Sequence, residues 1–318
     1  MGWFVVLPLV LPLTAWPIAK LAEHQLHPRS ATWLLTGVGV VMASCSTVCV
    51  GLVMVVGTAQ LPGNPLPDGW SDPEVAEAVP FEEVAAKAAI PALAAVLLGC
   101  GRSLWRHLWT RRRVARALAG VGSARVAVVP DEAAYAYALP GGGRGRIVAS
   151  TGLLGSLSAG ERRALFAHER AHLAGRHHRL LLAVTLAARA HPFLRPLRTA
   201  VLYTAERWAD EEAAREVGDR RLVARAIGRA ALVSRGGPVP AFAGAAGAGA
   251  VSGAGPGPVP RRVAALLAPP PVARPWPPTF TAVGLACWTA AAGAAASALS
   301  SANSAVTMFL LLKAATPL

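Results

Sequence analysis

His168-Glu169-Arg170-Ala171-His172 is the stretch on which the reading of this 318-residue chain turns. Its surroundings carry helical signals. Ser158-Ala159-Gly160-Glu161 has the form of a capping box, in which the Ser hydroxyl covers a free amide and the Glu reaches back. Gly175 is placed to end the same helix. Residues four apart on a helix share a face. The two imidazoles then point the same way and can hold one ion between them. The order H-E-x-x-H points to Zn2+, with Glu169 positioned to take a proton from water at the ion. The plain alternative is a surface helix with two solvated histidines.

A zinc centre of this kind needs a third protein ligand and keeps a fourth position open. The segment Thr204-Ala205-Glu206-Arg207-Trp208-Ala209-Asp210 reads as helix and puts Glu206 and Asp210 one turn apart. Glu206 can ligate. Asp210 can hold the far ring nitrogen of a ligand histidine and so fix its tautomer. An ordinary charged helix face is the alternative, and Glu211, Glu212 and Glu216 are read that way. His177 and His178 follow the expected helix end. Either can donate to an oxyanion, or both are polar residues at a helix terminus.

Composition points to a membrane. The chain is 54% hydrophobic, with a mean hydropathy of +0.44, which is too apolar for a soluble enzyme of this size. The net charge of +14 would otherwise suggest nucleic acid. Its arginines gather beside apolar runs, where topology places them, and no nucleic-acid motif is present, so no direct nucleic-acid binding is expected. Cys45, Cys49, Cys100 and Cys287 all lie in apolar runs and read as buried apolar residues rather than a disulfide framework. The excess of Arg over Lys, with abundant Ala, Gly and Pro, suggests a GC-rich bacterial genome.

The expected organisation has four parts. Residues 1–105 hold three transmembrane helices: 3–19, uncharged but interrupted by Pro8, Pro12 and Pro17, then 32–56, then 85–104. The first lacks the basic start and cleavage site of a signal peptide. The loop at 62–84 is acidic and free of Lys and Arg, so it is expected outside. Arg102, Arg106, Arg111, Arg112, Arg113 and Arg116 are expected inside, with the 20–29 loop. Residues 106–235 are then a cytosolic metallopeptidase domain. Short strands are expected at 124–129 and 146–150, with Tyr135-Ala136-Tyr137 linking them, and helices at 180–190, 198–217 and 220–234. Residues 236–277 read as a Gly/Ala/Pro-rich linker with a short helix from Arg261 that is stopped by Pro269-Pro270-Pro271. Residues 278–312 hold a C-terminal transmembrane segment, with Val306 to Leu312 too short for a further crossing. Both termini are expected outside. The fold class is a multi-pass α-helical membrane protein with a small α+β zincin-like metallopeptidase domain.

H-E-x-x-H followed some thirty residues later by Glu206-x-x-x-Asp210 resembles the gluzincins. The form seen here, with Ala213-Ala214 following, is similar to the membrane-bound peptidases that include HtpX, the CAAX prenyl proteases and the BlaR/MecR sensor-transducers. The layout most resembles the last of these, without a penicillin-binding sensor domain. The resemblance implies that His168, His172 and Glu206 are zinc ligands, Glu169 the general base and Asp210 the outer partner of a ligand. It implies a zinc endopeptidase in a bacterial cell membrane, acting on a cytosolic or membrane protein such as a repressor. It also implies that a strand beside the catalytic helix pairs with substrate, although a purely structural hairpin fits the residues equally. A quality-control protease of the HtpX type, or a non-catalytic zinc-binding scaffold, are the alternatives. Many HtpX-like and prenyl-protease sequences carry Arg three residues before the ligand Glu. This chain has Tyr203. Oligomeric state is not encoded in any pattern of the sequence.

Overall fold

A computed structural model describes residues 2–77, 82–117, 125–141, 145–234, 259–271 and 276–316. Most of the expected linker, and residues 78–81 of the acidic loop, lie outside the described residues. The elements in chain order are α1 (Gly2–Val10), a 3-10 turn (Leu11–Thr14), α2 (Ala15–Gln25), α3 (Pro28–Ala59), α4 (Pro73–Ala76), α5 (Glu82–Ala117), β1 (Val126–Val129), β2 (Ala136–Leu139), β3 (Arg146–Ser150), α6 (Thr151–Ser156), α7 (Ala159–Ala174), α8 (His177–Ala190), α9 (Arg195–Val217), α10 (Arg220–Val233), α11 (Val259–Leu267) and α12 (Ala282–Ala314).

Among the described residues, four helical stretches are long and apolar enough to cross a membrane: Phe4–Gln25, Pro28–Ala59, Lys87–Arg116 and Ala282–Ala314. They fall on the apolar runs, with two differences from the expected bounds. Residues 20–25 are not loop but the end of α2, and only Leu26 and His27 separate it from α3. The His27 ring accepts from the Arg29 amide at 3.3 Å, and Pro28 starts the helix where its missing N–H costs nothing. The third helix does not stop near Leu104. It runs on through the arginine cluster to Ala117.

The helix α3 is the spine of the bundle, since α5, α8, α9 and α12 all pack on it. Small residues permit close approach. A Cβ at Gly39 would lie 3.3 Å from Leu197 Cδ1. Leu35, Val38 and Met42 of α3 share one core with Val184 and Ala187 of α8 and with Leu197 and Val201 of α9. The Thr32 hydroxyl donates to the Thr204 hydroxyl at 3.0 Å, which satisfies two buried polar groups at once. The α9 helix therefore has two roles along its length: its first half seats on the bundle, and its second half packs on α7.

The sheet has strand order β1-β3-β2. β1 pairs with β3 in parallel and β2 pairs with β3 antiparallel. The strands expected at 124–129 and 146–150 correspond to β1 and β3. Tyr135-Ala136-Tyr137 is not a plain link: Ala136 and Tyr137 open β2, an edge strand that packs against α7.

Candidate active site

Local signals set α7. The Glu161 amide donates to the Ser158 hydroxyl at 3.3 Å, and the Ser158 amide donates to the Glu161 carboxylate at 2.8 Å. This closes the capping box, and such a cap contributes about 1 kcal/mol. Ala164 and Ala167 face a core shared with Ala213 and Ala214 of α9. That packing turns His168, Glu169 and His172 towards α9, and all three are buried. At the far end, Gly218 takes φ +77° and Asp219 caps α10 through the Leu222 amide at 3.0 Å, so α9 ends where its neighbour begins.

Glu206 closes the group. The His168 and His172 Nε2 atoms are 3.1 Å apart. Each lies 3.4 Å from a Glu206 carboxylate oxygen. With zinc–ligand bonds of about 2.0–2.1 Å, the edge of a tetrahedron is about 3.3 Å. Donor atoms of all three residues lie within 4.8 Å of one another, and they are chemical types that zinc takes. Among the described residues, His168, His172 and Glu206 form the group of metal-ligating side chains that converges in this way. The Oε2 atom of Glu169 is buried beside them without a hydrogen-bond partner, as suits a group whose partner is a reacting molecule.

Each histidine has a polar side chain behind it. The His168 Nδ1 lies 3.0 Å from Asp210 Oδ1. The His172 Nδ1 lies 2.8 Å from the Nδ1 of His177. The His177 ring is 1% exposed and tilts against Trp208. Its expected placement as an oxyanion donor therefore gives way to a different one. His177 meets the ring nitrogen of His172 that points away from Glu206. The tight turn explains this: Arg176 adopts φ +50°, and α8 starts at once with His177. Gly175 leaves the space, since a Cβ there would fall 2.4 Å from His177 Nε2. His178 is half-buried away from the cluster and lines a separate cavity with Arg111 and Arg179.

One participant was not anticipated. Arg262 of α11 is 4% exposed. Its Nε and Nη2 donate to the two Asp210 oxygens at 2.8 and 2.6 Å, and its Nη1 lies 2.9 Å from Glu206. Burial opposes the Asp210 carboxylate, yet Arg262 and His168 hold its pKa down to about 2. Neighbouring Arg261 pairs with Glu23 and sits over the Tyr203 ring at 4.4 Å. The α11 helix thus brings one arginine to the Glu206–Asp210 pair and a second over Tyr203. The only sequence signal was an Arg-Arg pair opening a short amphipathic helix. Glu211 also departs from its expected solvated place. It is buried and paired with Arg207 at 3.0 Å and with Arg220.

Two buried histidines and a glutamate within reach of one ion, with the Glu169 carboxylate alongside, make a candidate metallopeptidase centre on an α+β domain. The model of peptidase family M48 matches residues 105–270, a little over half of the chain. The chain belongs to peptidase family M48. No curated protein and no solved structure matches it.

Proposed function

We propose that this chain is a membrane-bound, zinc-dependent endopeptidase whose catalytic centre faces the cytosol and which cleaves a cytosolic or membrane protein, such as a transcriptional repressor. The observation that carries the hydrolase reading is the convergence of His168, His172 and Glu206 beside the unpartnered Glu169 oxygen. Zinc held there supplies Lewis acidity, polarising a scissile carbonyl and making water acidic enough to attack near neutral pH.

The chain's own residues supply the rest. Asp210 and His177 hold the two imidazoles with Nε2 towards Glu206, the tautomer a ligand histidine requires. Glu169 takes the proton of the attacking water and returns it to the leaving amine. Burial, with the Glu206 charge adding to it, raises its pKa to about 7, which matches a base working near neutrality. Arg262 neutralises Glu206 and Asp210 in their buried setting. The four apolar helices and the excess of arginine after the third support a membrane location with the 105–270 region inside. The layout of apolar helices on both sides of that region supports a transducer that cuts a repressor.

Cleavage of a casein reporter by the full-length protein in detergent tests the catalytic reading. It is expected to require zinc, to stop with chelator and to be absent in His172→Ala. Zinc-independent cleavage, or none by zinc-loaded wild type, contradicts it. Comparing cellular proteomes with wild type and Glu169→Gln then separates a single repressor target from broad quality control.

A further inference from the structure

We propose that the cavity lined by Arg111, Arg125, Arg176, His178 and Arg179 is a substrate subsite that takes acidic side chains from a peptide paired on β2. The inference rests on the peptidase reading. β2 is an edge strand. The Ser150 amide donates to the Tyr135 carbonyl at 2.9 Å, which sets the phase of the β2–β3 ladder. Alternate residues exchange bonds across an antiparallel pair. Tyr137 and Leu139 therefore bond inward, while Ala136 and Ala138 turn their amides and carbonyls to the open edge. The Ala138 amide is taken by Glu169, so a strand added at this edge pairs through the Ala136 amide and the Ala136 and Ala138 carbonyls and runs past the catalytic carboxylate.

Beyond Leu139 the edge continues into Pro140 and Gly141, which line a cavity of about 960 Å³. The Arg111 guanidinium donates to the Pro140 carbonyl at 3.0 Å, fixing a cation at the end of the strand. No carboxylate lines the cavity among the described residues, and the adjoining stretches 118–124 and 142–144 contain no Asp or Glu. Arg170 also lines the cavity but is paired with Glu216, while nearer the centre Arg207 and Arg220 pair with Glu211, and Arg262 with Asp210. Arg111, Arg125, Arg176 and Arg179 form no ion pair among the described residues. Arg176 also holds a left-handed backbone conformation that favours Gly or Asn. Burial and then the cations Arg111 and Arg179 lower the His178 pKa to about 4, the mark of a pocket with excess positive charge. A carboxylate on the substrate completes the missing charge-assisted hydrogen bonds.

The test uses full-length Glu169→Gln protein in detergent and labelled decapeptides. A Glu-Glu pair, or its Gln-Gln counterpart, is scanned through each peptide, and binding is read by fluorescence anisotropy. At one position the acidic peptide should bind about tenfold more tightly than its amide partner. Arg176→Ala/Arg179→Ala should erase that difference without changing zinc content, and Arg163→Ala should keep it. Equal binding of the acidic and amide series, or a preference that survives the double variant, overturns the proposal. So does loss of binding to phosphatidylglycerol vesicles in the double variant with peptide preference intact, which makes the cavity a lipid headgroup site. Because binding is read without turnover, a chain that selects acidic peptides but hydrolyses nothing retains the subsite and loses only the catalytic reading.

Discussion

Two buried glutamates beside the same pair of histidines hold their protons very differently. Burial works against both carboxylates. At Glu206 the Arg262 guanidinium and His172 overcome it and keep the pKa below the ordinary carboxylate range. At Glu169 burial prevails and the value rises to about 7. One is thus suited to ligation and the other to proton transfer. Glu169 is protonated below that value and cannot act as a base, so kcat/KM should fall as pH drops through neutrality. Zinc nearby favours the carboxylate, which places the acid limb at or below about 7. An acid limb well above 8 would be inconsistent with this base. Glu169→Gln should bind zinc as wild type does and lose about 10²–10⁴ in rate. His168 gives a second readout. Burial disfavours its cation, but Asp210 and Glu206 outweigh that and raise the pKa to about 10. Zinc must displace this proton, so affinity should rise about tenfold per pH unit between 7 and 9. Calorimetry in buffers of different ionisation heat should show about one proton released per zinc. Affinity independent of pH would exclude that protonation state.

At the scale of elements, legibility followed how local each signal was. The start of α7 could be read because the Ser158–Glu161 box is contained within four residues. The spacing of Glu206 and Asp210 showed one face of α9. The rest of α9 hid its roles, because it is buried on nearly every side and has no polar face to report. That is why Glu211 looked solvated. The position of His177 depended on a left-handed Arg176 that no pattern announces. Arg262 reaches Asp210 across 52 residues, and an Arg-Arg pair in isolation looks like a basic surface. The docking of α11 is therefore worth testing directly. Arg262→Ala strands two buried carboxylates, which should destabilise the metal-free protein by about 3–5 kcal/mol. Zinc supplies a replacement cation, so the loss should be smaller in the loaded protein. Thermal melts with and without zinc check this, and equal losses in both would argue against a shared charge site. Gly175→Ala should push His177 off His172 and weaken zinc binding about 10- to 100-fold, as read by competition with a chromogenic chelator.

The whole molecule couples an apolar bundle to the centre through α9, whose Leu197 and Val201 lie in the bundle core and whose Glu206 and Asp210 lie in the site. The apolar runs were plain in the sequence because a bilayer demands length and hydropathy, and both are visible there. The extent of α5 was not, since exposed arginines end an apolar run without ending a helix. The proposed orientation rests on those arginines. In a background lacking the native cysteines, Asp68→Cys should react with an impermeant maleimide on intact cells, and Arg163→Cys only after permeabilisation. The reverse pattern would place the centre outside.

X-ray absorption at the zinc edge of the purified protein puts the centre itself to the test. The spectrum should show a shell of nitrogen and oxygen near 2.0–2.1 Å with two imidazoles. There should be no sulfur near 2.3 Å, and one ligand should be lost in Glu206→Ala. Sulfur in the shell, or a spectrum that Glu206→Ala leaves unchanged, would contradict a site built from His168, His172 and Glu206.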